Sequence, residues 1–124
     1  MTAAYTVHLY PRKILREGGK YGNTSARYKG NVYHSRLEAA YAAELDSRKR
    51  AHNASERVVR WERQVKIPLI VAGQLIANYY ADFEVTFGDG RVELHEVKGY
   101  ETEVWRLKRK LVDALFPNRL KVIR

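Results

Sequence analysis

Residues 57–98 carry the strongest constraint in the chain, a long run of β-branched and aromatic side chains broken only by short turn signals. Val58, Val59, Trp61, Val65, Ile67, Leu69 and Ile70 favour a pleated, half-buried backbone, which predicts one or two strands over 57–71. Pro68 lacks an N–H and argues for a sheet edge or a strand end. Ala72-Gly73 reads as a turn, 75–87 as the next strand, Gly88-Asp89-Gly90 as a hairpin signal and 91–98 as the returning strand. Strands of this kind must bury a face against other elements.

Those elements flank the strands. Over 35–51, Leu37, Ala40, Tyr41, Glu44, Leu45 and Arg48 recur at helical spacing among alanines, and Asn53 is a natural stop. Over 102–116, Val104, Leu107, Leu111 and Leu115 form an apolar stripe that Pro117 closes, and 120–123 can add a short strand. The order helix, strands, helix, strand predicts an α/β (α+β) fold with a mixed sheet flanked by helices. With 124 residues, 45% of them apolar, the chain has enough for one core and one domain. That domain is assigned to 33–124.

Residues 1–32 are read as a basic N-terminal arm. Between 10 and 36, Arg12, Lys13, Arg16, Lys20, Arg27, Lys29 and Arg36 face a single acid, Glu17. Gly18, Gly19, Gly22 and Gly30 oppose a continuous helix there. Tyr10, Tyr21, Tyr28 and Tyr33 are interleaved; they can stack on bases or pack on the domain, and packing is the commoner fate. The whole chain has 23 Lys and Arg against 14 Asp and Glu, a net +9, which favours a polyanionic partner. A run of about 18 apolar residues is missing, so no membrane span is expected. The start lacks the apolar block of a secretion signal. The absence of cysteine excludes disulfides, thiolate zinc sites and a cysteine nucleophile, and suits a reducing cytoplasm.

The chemistry concentrates between Tyr80 and Lys98. Glu96 and Lys98 are two apart, so on a strand they share a face with Val92 and Leu94, and that face is expected to look inward. Charges on such a face cost several kcal/mol unless compensated, and a divalent cation would compensate the carboxylate. If Gly88, Asp89 and Gly90 form a three-residue loop, Phe87 faces Arg91 and Asp82 comes directly opposite Glu96, with Cβ atoms about 5 Å apart. A two-residue Asp89-Gly90 turn would put Asp82 opposite Val97 instead. Two carboxylates around a cation, with a lysine beside them, suit phosphodiester hydrolysis. Hard oxygen ligands favour Mg²⁺ or Mn²⁺ over zinc. Lys98 can orient the attacking water or stabilise the extra negative charge of the transition state.

Ala81-Asp82 with Glu96-Val97-Lys98 resembles the signature of the PD-(D/E)XK nuclease superfamily. The phrase Tyr33-His34-Ser35-Arg36-Leu37-Glu38-Ala39-Ala40, the strand with Gln64-Val65-Lys66, and Glu96-Val97-Lys98-Gly99 are also similar to small phage-encoded nucleases akin to archaeal-type Holliday junction resolvases. The resemblance spans about residues 33 to 116 and is one of motifs. Ala81 stands where a proline is usual, and the interval from Glu38 to Asp82 is longer than in the compact archaeal resolvases. The resemblance implies a restriction-endonuclease-like sheet and a Mg²⁺-dependent (or Mn²⁺-dependent) endonuclease selective for branched DNA such as four-way junctions. It also implies a homodimer, located in the host cytoplasm if the chain is phage-encoded. Asp82, Glu96 and Glu38 become metal ligands and Lys98 a catalytic residue. Ser35-Arg36-Leu37-Glu38 is also a capping box, so Glu38 has two readings, ligand or helix cap.

Arg12, Lys13, Arg27, Lys29 and Arg36, with Arg106, Lys108, Arg109 and Lys110 on the second helix, are the candidate DNA track. Gln64, Glu84 and Tyr80 are secondary candidates: Glu84 as a solvated neighbour of Asp82, Tyr80 as a residue opposite Lys98. His8, His34, His52 and His95 show no ligand spacing and are expected to be solvated, His95 pointing away from Glu96. The rival readings are a nicking or double-strand nuclease of the same fold, a non-catalytic basic DNA-binding module, and an RNA-binding protein.

Overall fold

The computed structural model describes residues 25–98 and 100–124. Ser35 starts the first helix: its hydroxyl accepts the Glu38 N–H at 3.1 Å, and α1 runs Arg36–Ser47. A 3-10 turn, Arg48–Arg50, completes the helical stretch expected over 35–51. β3 (Val58–Val71) and β4 (Gln74–Phe87) form a hairpin of 14 residues per strand. β5 (Val92–Val97) adds antiparallel to β4. Thr102 then caps α2 (Glu103–Leu115), which crosses over to β6 (Leu120–Ile123), parallel to β5. The sheet order β3-β4-β5-β6 is mixed, with helices against it, as the sequence predicts for a restriction-endonuclease-like sheet. Pro68 sits on the edge strand β3, where its missing N–H leaves no inner ladder bond unmade.

The domain begins earlier than residue 33. Ala26–Tyr28 (β1) and Asn31–Tyr33 (β2) pair as a small hairpin packed on α1, so the sequence boundary falls inside a folded element. Tyr33 is 1% exposed, in the core beside Phe83. Tyr28 donates to Asp46 Oδ2 at 2.6 Å, and Trp61 Nε1 donates to Asp46 Oδ1 at 2.9 Å. Burial alone would raise the Asp46 carboxyl. Those two bonds, with Lys29 and Lys49, hold it well below the usual carboxylate range. Tyr28 and Tyr33 thus pack on the domain. Residues 1–24, with the candidates Arg12 and Lys13 and with His8, lie outside the described residues, as does Gly99.

Two core clusters lie on opposite faces of the sheet. Tyr41, Ala42 and Leu45 of α1 cover Phe83, Val85, Phe87 and Val97. Trp105 and Val112 of α2 cover Val65, Ile67, Leu69, Tyr79, Ala81, Leu94 and Leu120. Both clusters draw odd-numbered residues from β4, so strict alternation is broken between Phe83 and Ala81. The break sits at the rung of Gln64 and Asp82. Arg63 pairs with Phe83 and Val65 with Ala81, but the rung between them is missing and Gln64 has φ 54°. Positive φ is strained for a side chain of this kind.

α2 is turned relative to the expected stripe. Trp105 and Val112 are its buried residues, with Leu111 and Leu115 partly buried, while Val104 and Leu107 are exposed. Trp105 is the largest apolar side chain on the helix, and its burial turns the first-turn valine outward. Among the described residues no helix is long and apolar enough to cross a membrane.

Candidate active site

The β4–β5 turn fixes the geometry. Phe87 N–H donates to Arg91 O at 2.9 Å, which closes a three-residue loop, and the pairs Thr86–Val92, Val85–Glu93, Glu84–Leu94 and Phe83–His95 follow. The next rung brings Asp82 to Glu96. There the ladder opens, and Val97 N–H donates to Asp82 Oδ2 at 2.8 Å instead of to backbone. Glu38, Gln64, Asp82, Glu96, Lys98 and Lys108 line one cleft of about 570 Å³, together with Tyr79, Tyr80 and Trp105. Glu38, Asp82 and Glu96 are each less than a tenth exposed.

Glu38 satisfies both of its readings in part. Its N–H is capped by Ser35, and the His34 backbone lowers its carboxyl pKa, yet the carboxylate is buried within reach of the Glu96 charge. Burial, then Glu96, pushes its pKa up to about 7. Burial, then the charges of Glu96 and Glu38, pushes Asp82 well above the usual range. Burial raises Glu96 as well, against the lowering effects of the Tyr79 hydroxyl and Lys98. Lys98 Nζ lies 3.8 Å from Glu96 Oε2 and 5.0 Å from the centre of the Trp105 ring. Three buried carboxylates with one adjacent lysine are an excess of negative charge in a low-dielectric place.

These donors suit a hard divalent cation. A carboxylate offers about four lone-pair sites, so the bonds from Val97 and Tyr79 leave acceptor capacity on Asp82 and Glu96. Among the described residues, no three His, Cys, Asp or Glu side chains form a ready-made metal cage. Mg²⁺ does not require one, because it keeps several waters and takes one or two carboxylates alongside substrate phosphates.

A stability test follows from the charges. Folding raises all three carboxyl pKa values, so the protonated forms favour the folded state. That contribution is full below the ordinary glutamate value of 4.5 and is lost as pH rises through about 7 for Glu38. Melting temperature in EDTA is expected to fall between about pH 5 and pH 8, and Mg²⁺ added at the upper end should restore part of it. A flat profile that ignores Mg²⁺ would contradict this account of the cleft.

The other expectations divide. Tyr80 and His34 line the cleft, and Gln64 lines it at 7% exposure. Glu84 is 2% exposed rather than solvated, because its rung packs under the α2 face beside Leu94. His95 is on the face away from Glu96 as expected, but it is buried at 3%, bridging Tyr41 Oη at 2.6 Å and Glu93 Oε1 at 2.9 Å. His52 is exposed.

In the candidate DNA track, Arg27, Arg36 and Lys110 are exposed. Lys29 is exposed but ion-paired to Asp46. Arg106 sits 3.9 Å from Glu101, and Arg109 sits 3.8 Å from Asp113. Lys108 donates to Asn78 O at 3.0 Å at the cleft wall.

Sequence reasoning missed two residues. Arg63 donates to Val32 O at 2.8 Å, stacks over the Tyr33 ring at 4.0 Å, and lowers the Glu38 pKa. Tyr79, rather than Tyr80, bonds Glu96, its hydroxyl donating to Oε1 at 2.6 Å. In a regular strand Tyr79 would face away from residues 82 and 96. Only the broken alternation at Asp82 brings it round, and nothing in the sequence signals that break.

One family model matches the chain, over residues 18–124, with the description protein of unknown function (DUF1064). No curated protein and no solved structure matches it.

Proposed function

The chain belongs to the DUF1064 family, and we propose that it is a metal-dependent DNA endonuclease of the PD-(D/E)XK type. The observation that carries this reading is the meeting of Asp82, Glu96, Glu38 and Lys98 in one cleft of a chain with net charge +9. A basic surface draws in a polyanion, while the buried carboxylates repel one another and the phosphate alike. A cation reconciles the two.

Asp82 and Glu96 would hold Mg²⁺ or Mn²⁺, with Glu38 a third donor from the start of α1. Such an ion supplies polarisation of the phosphate and a bound water of lowered pKa. The protein's part is placement. The three-residue loop sets the two carboxylates opposite each other, and Val97 N–H fixes the Asp82 rotamer. Lys98, held between Glu96 and the Trp105 ring, presents an ammonium where a phosphate gains negative charge. Lys108 at the cleft wall, with Arg36 and Lys110, would hold the flanking phosphates.

The motif resemblance extends the reading to branched DNA, four-way junctions first, cut by a homodimer in the cytoplasm of the cell or phage host. Symmetric cutting of two strands needs two sites related by a two-fold axis. The test is a panel of labelled linear, nicked, flap and four-way DNA, incubated with Mg²⁺ or with EDTA. Preferential cutting of the four-way substrate, abolished by EDTA, is expected. Cutting of linear or nicked DNA alone would leave a nuclease of different selectivity. Tight binding with no cutting of any substrate would overturn the enzyme in favour of a binding module.

A further inference from the structure

Among the groups around the cleft, one buried hydrogen bond has no part in the reading above. Tyr79 is 2% exposed, and its hydroxyl donates to Glu96 Oε1 at 2.6 Å. That is a short O–H···O contact. Its ring is packed in the cluster that holds Trp105 and Leu94, so the hydroxyl has little freedom to turn elsewhere.

Glu96 needs such a partner. It is the next-to-last residue of β5, and a glutamate has three side-chain torsions to fix. Lys98 at 3.8 Å is a loose contact and does not fix them. We infer that Tyr79 is a positioning residue, which holds the Glu96 carboxylate through Oε1 so that Oε2 faces the cleft and a divalent cation. The inference rests on the metal-dependent reading. Partners of this kind orient a ligand and typically contribute 10- to 100-fold in metal affinity.

Mn²⁺ binding to the full chain by titration calorimetry, without DNA, tests it on wild type, Tyr79→Phe, Tyr41→Phe and Asp82→Asn. Tyr79→Phe removes one oxygen and keeps the ring. Tyr41→Phe removes a comparably buried hydroxyl that bonds His95 on the other face. The expected result is an affinity for Mn²⁺ about 10- to 100-fold weaker in Tyr79→Phe, unchanged in Tyr41→Phe, and lost in Asp82→Asn. The folded state of each variant is checked by its melting temperature. Equal affinity in wild type and Tyr79→Phe overturns the inference and leaves the metal site standing. Weakening of Tyr41→Phe to the same extent also overturns it, since loss of any buried hydroxyl would then suffice. A wild type that binds no Mn²⁺ overturns the metal reading, and the inference with it.

Discussion

Asp82→Asn should leave the protein folded and bound to DNA, and unable to cut it. Asparagine keeps the shape of aspartate and an oxygen to accept the Val97 N–H, so the opened rung between β4 and β5 keeps its hydrogen bond. It removes one of three mutually repelling carboxylates from a buried place. Replacing a strained buried charge by a neutral group is neutral or stabilising. In EDTA the variant should therefore melt at or above the wild-type temperature. Activity should fall by at least ~10²–10³-fold, the scale on which preorganised electrostatic groups act. Binding to a four-way junction, measured in Ca²⁺ or EDTA, should change little, because the phosphate-facing cations are untouched. Cutting at the wild-type rate by this variant would remove Asp82 from the chemistry.

The second large effect is on stability. Phe83→Ala should lower the free energy of unfolding by about 3–5 kcal/mol. Phe83 is 1% exposed, and its ring centre lies 5.5 Å from those of Tyr41 and Trp61 and 6.4 Å from that of Tyr33. It thus joins α1, the β1–β2 hairpin and β3 to the strand that carries Asp82. Removing it leaves a cavity bounded by three rigid rings that cannot collapse easily. A domain of this size is stable by only about 5–15 kcal/mol, so the loss is a large share. Urea unfolding followed by tryptophan fluorescence measures it, with exposed Val59→Ala as the contrast, expected within about 0.5 kcal/mol of wild type. A shift below about 1 kcal/mol for Phe83→Ala would mean that this aromatic cluster does not hold the sheet to α1.

Local chemistry explains which features were legible in the chain. Turn residues announce themselves by backbone preference, so the Gly88-Asp89-Gly90 turn was legible, and with it the opposition of Asp82 and Glu96 as one of two registers the turn allowed. Ser35, Thr102 and Pro117 likewise mark helix ends by their own hydrogen-bonding or its absence. The α2 stripe could not be read so well. Val104, Leu107, Leu111 and Leu115 have the right spacing, but Trp105 competes for the same buried position and, being larger, wins it. The arm boundary failed for a related reason. Glycines and basic residues described a loop, while Tyr28 and Tyr33 had partners on Asp46 and Phe83, far along the chain.

The amino-acid order alone determined the long strands, the helices and the hairpin turn at 88–90, since each depends on period and turn chemistry over a few residues; it allowed two turn lengths, and the structure selected the three-residue loop. The tertiary structure decided what surrounds the two carboxylates. It broke the alternation at Gln64 and Asp82, swung Tyr79 toward Glu96, brought Glu38 from α1 to the same cleft and set Trp105 beside Lys98. Those contacts join residues from 7 to more than 50 positions apart, and they exist only because packing two helices on opposite faces of one twisted sheet buries more apolar surface than any local arrangement could.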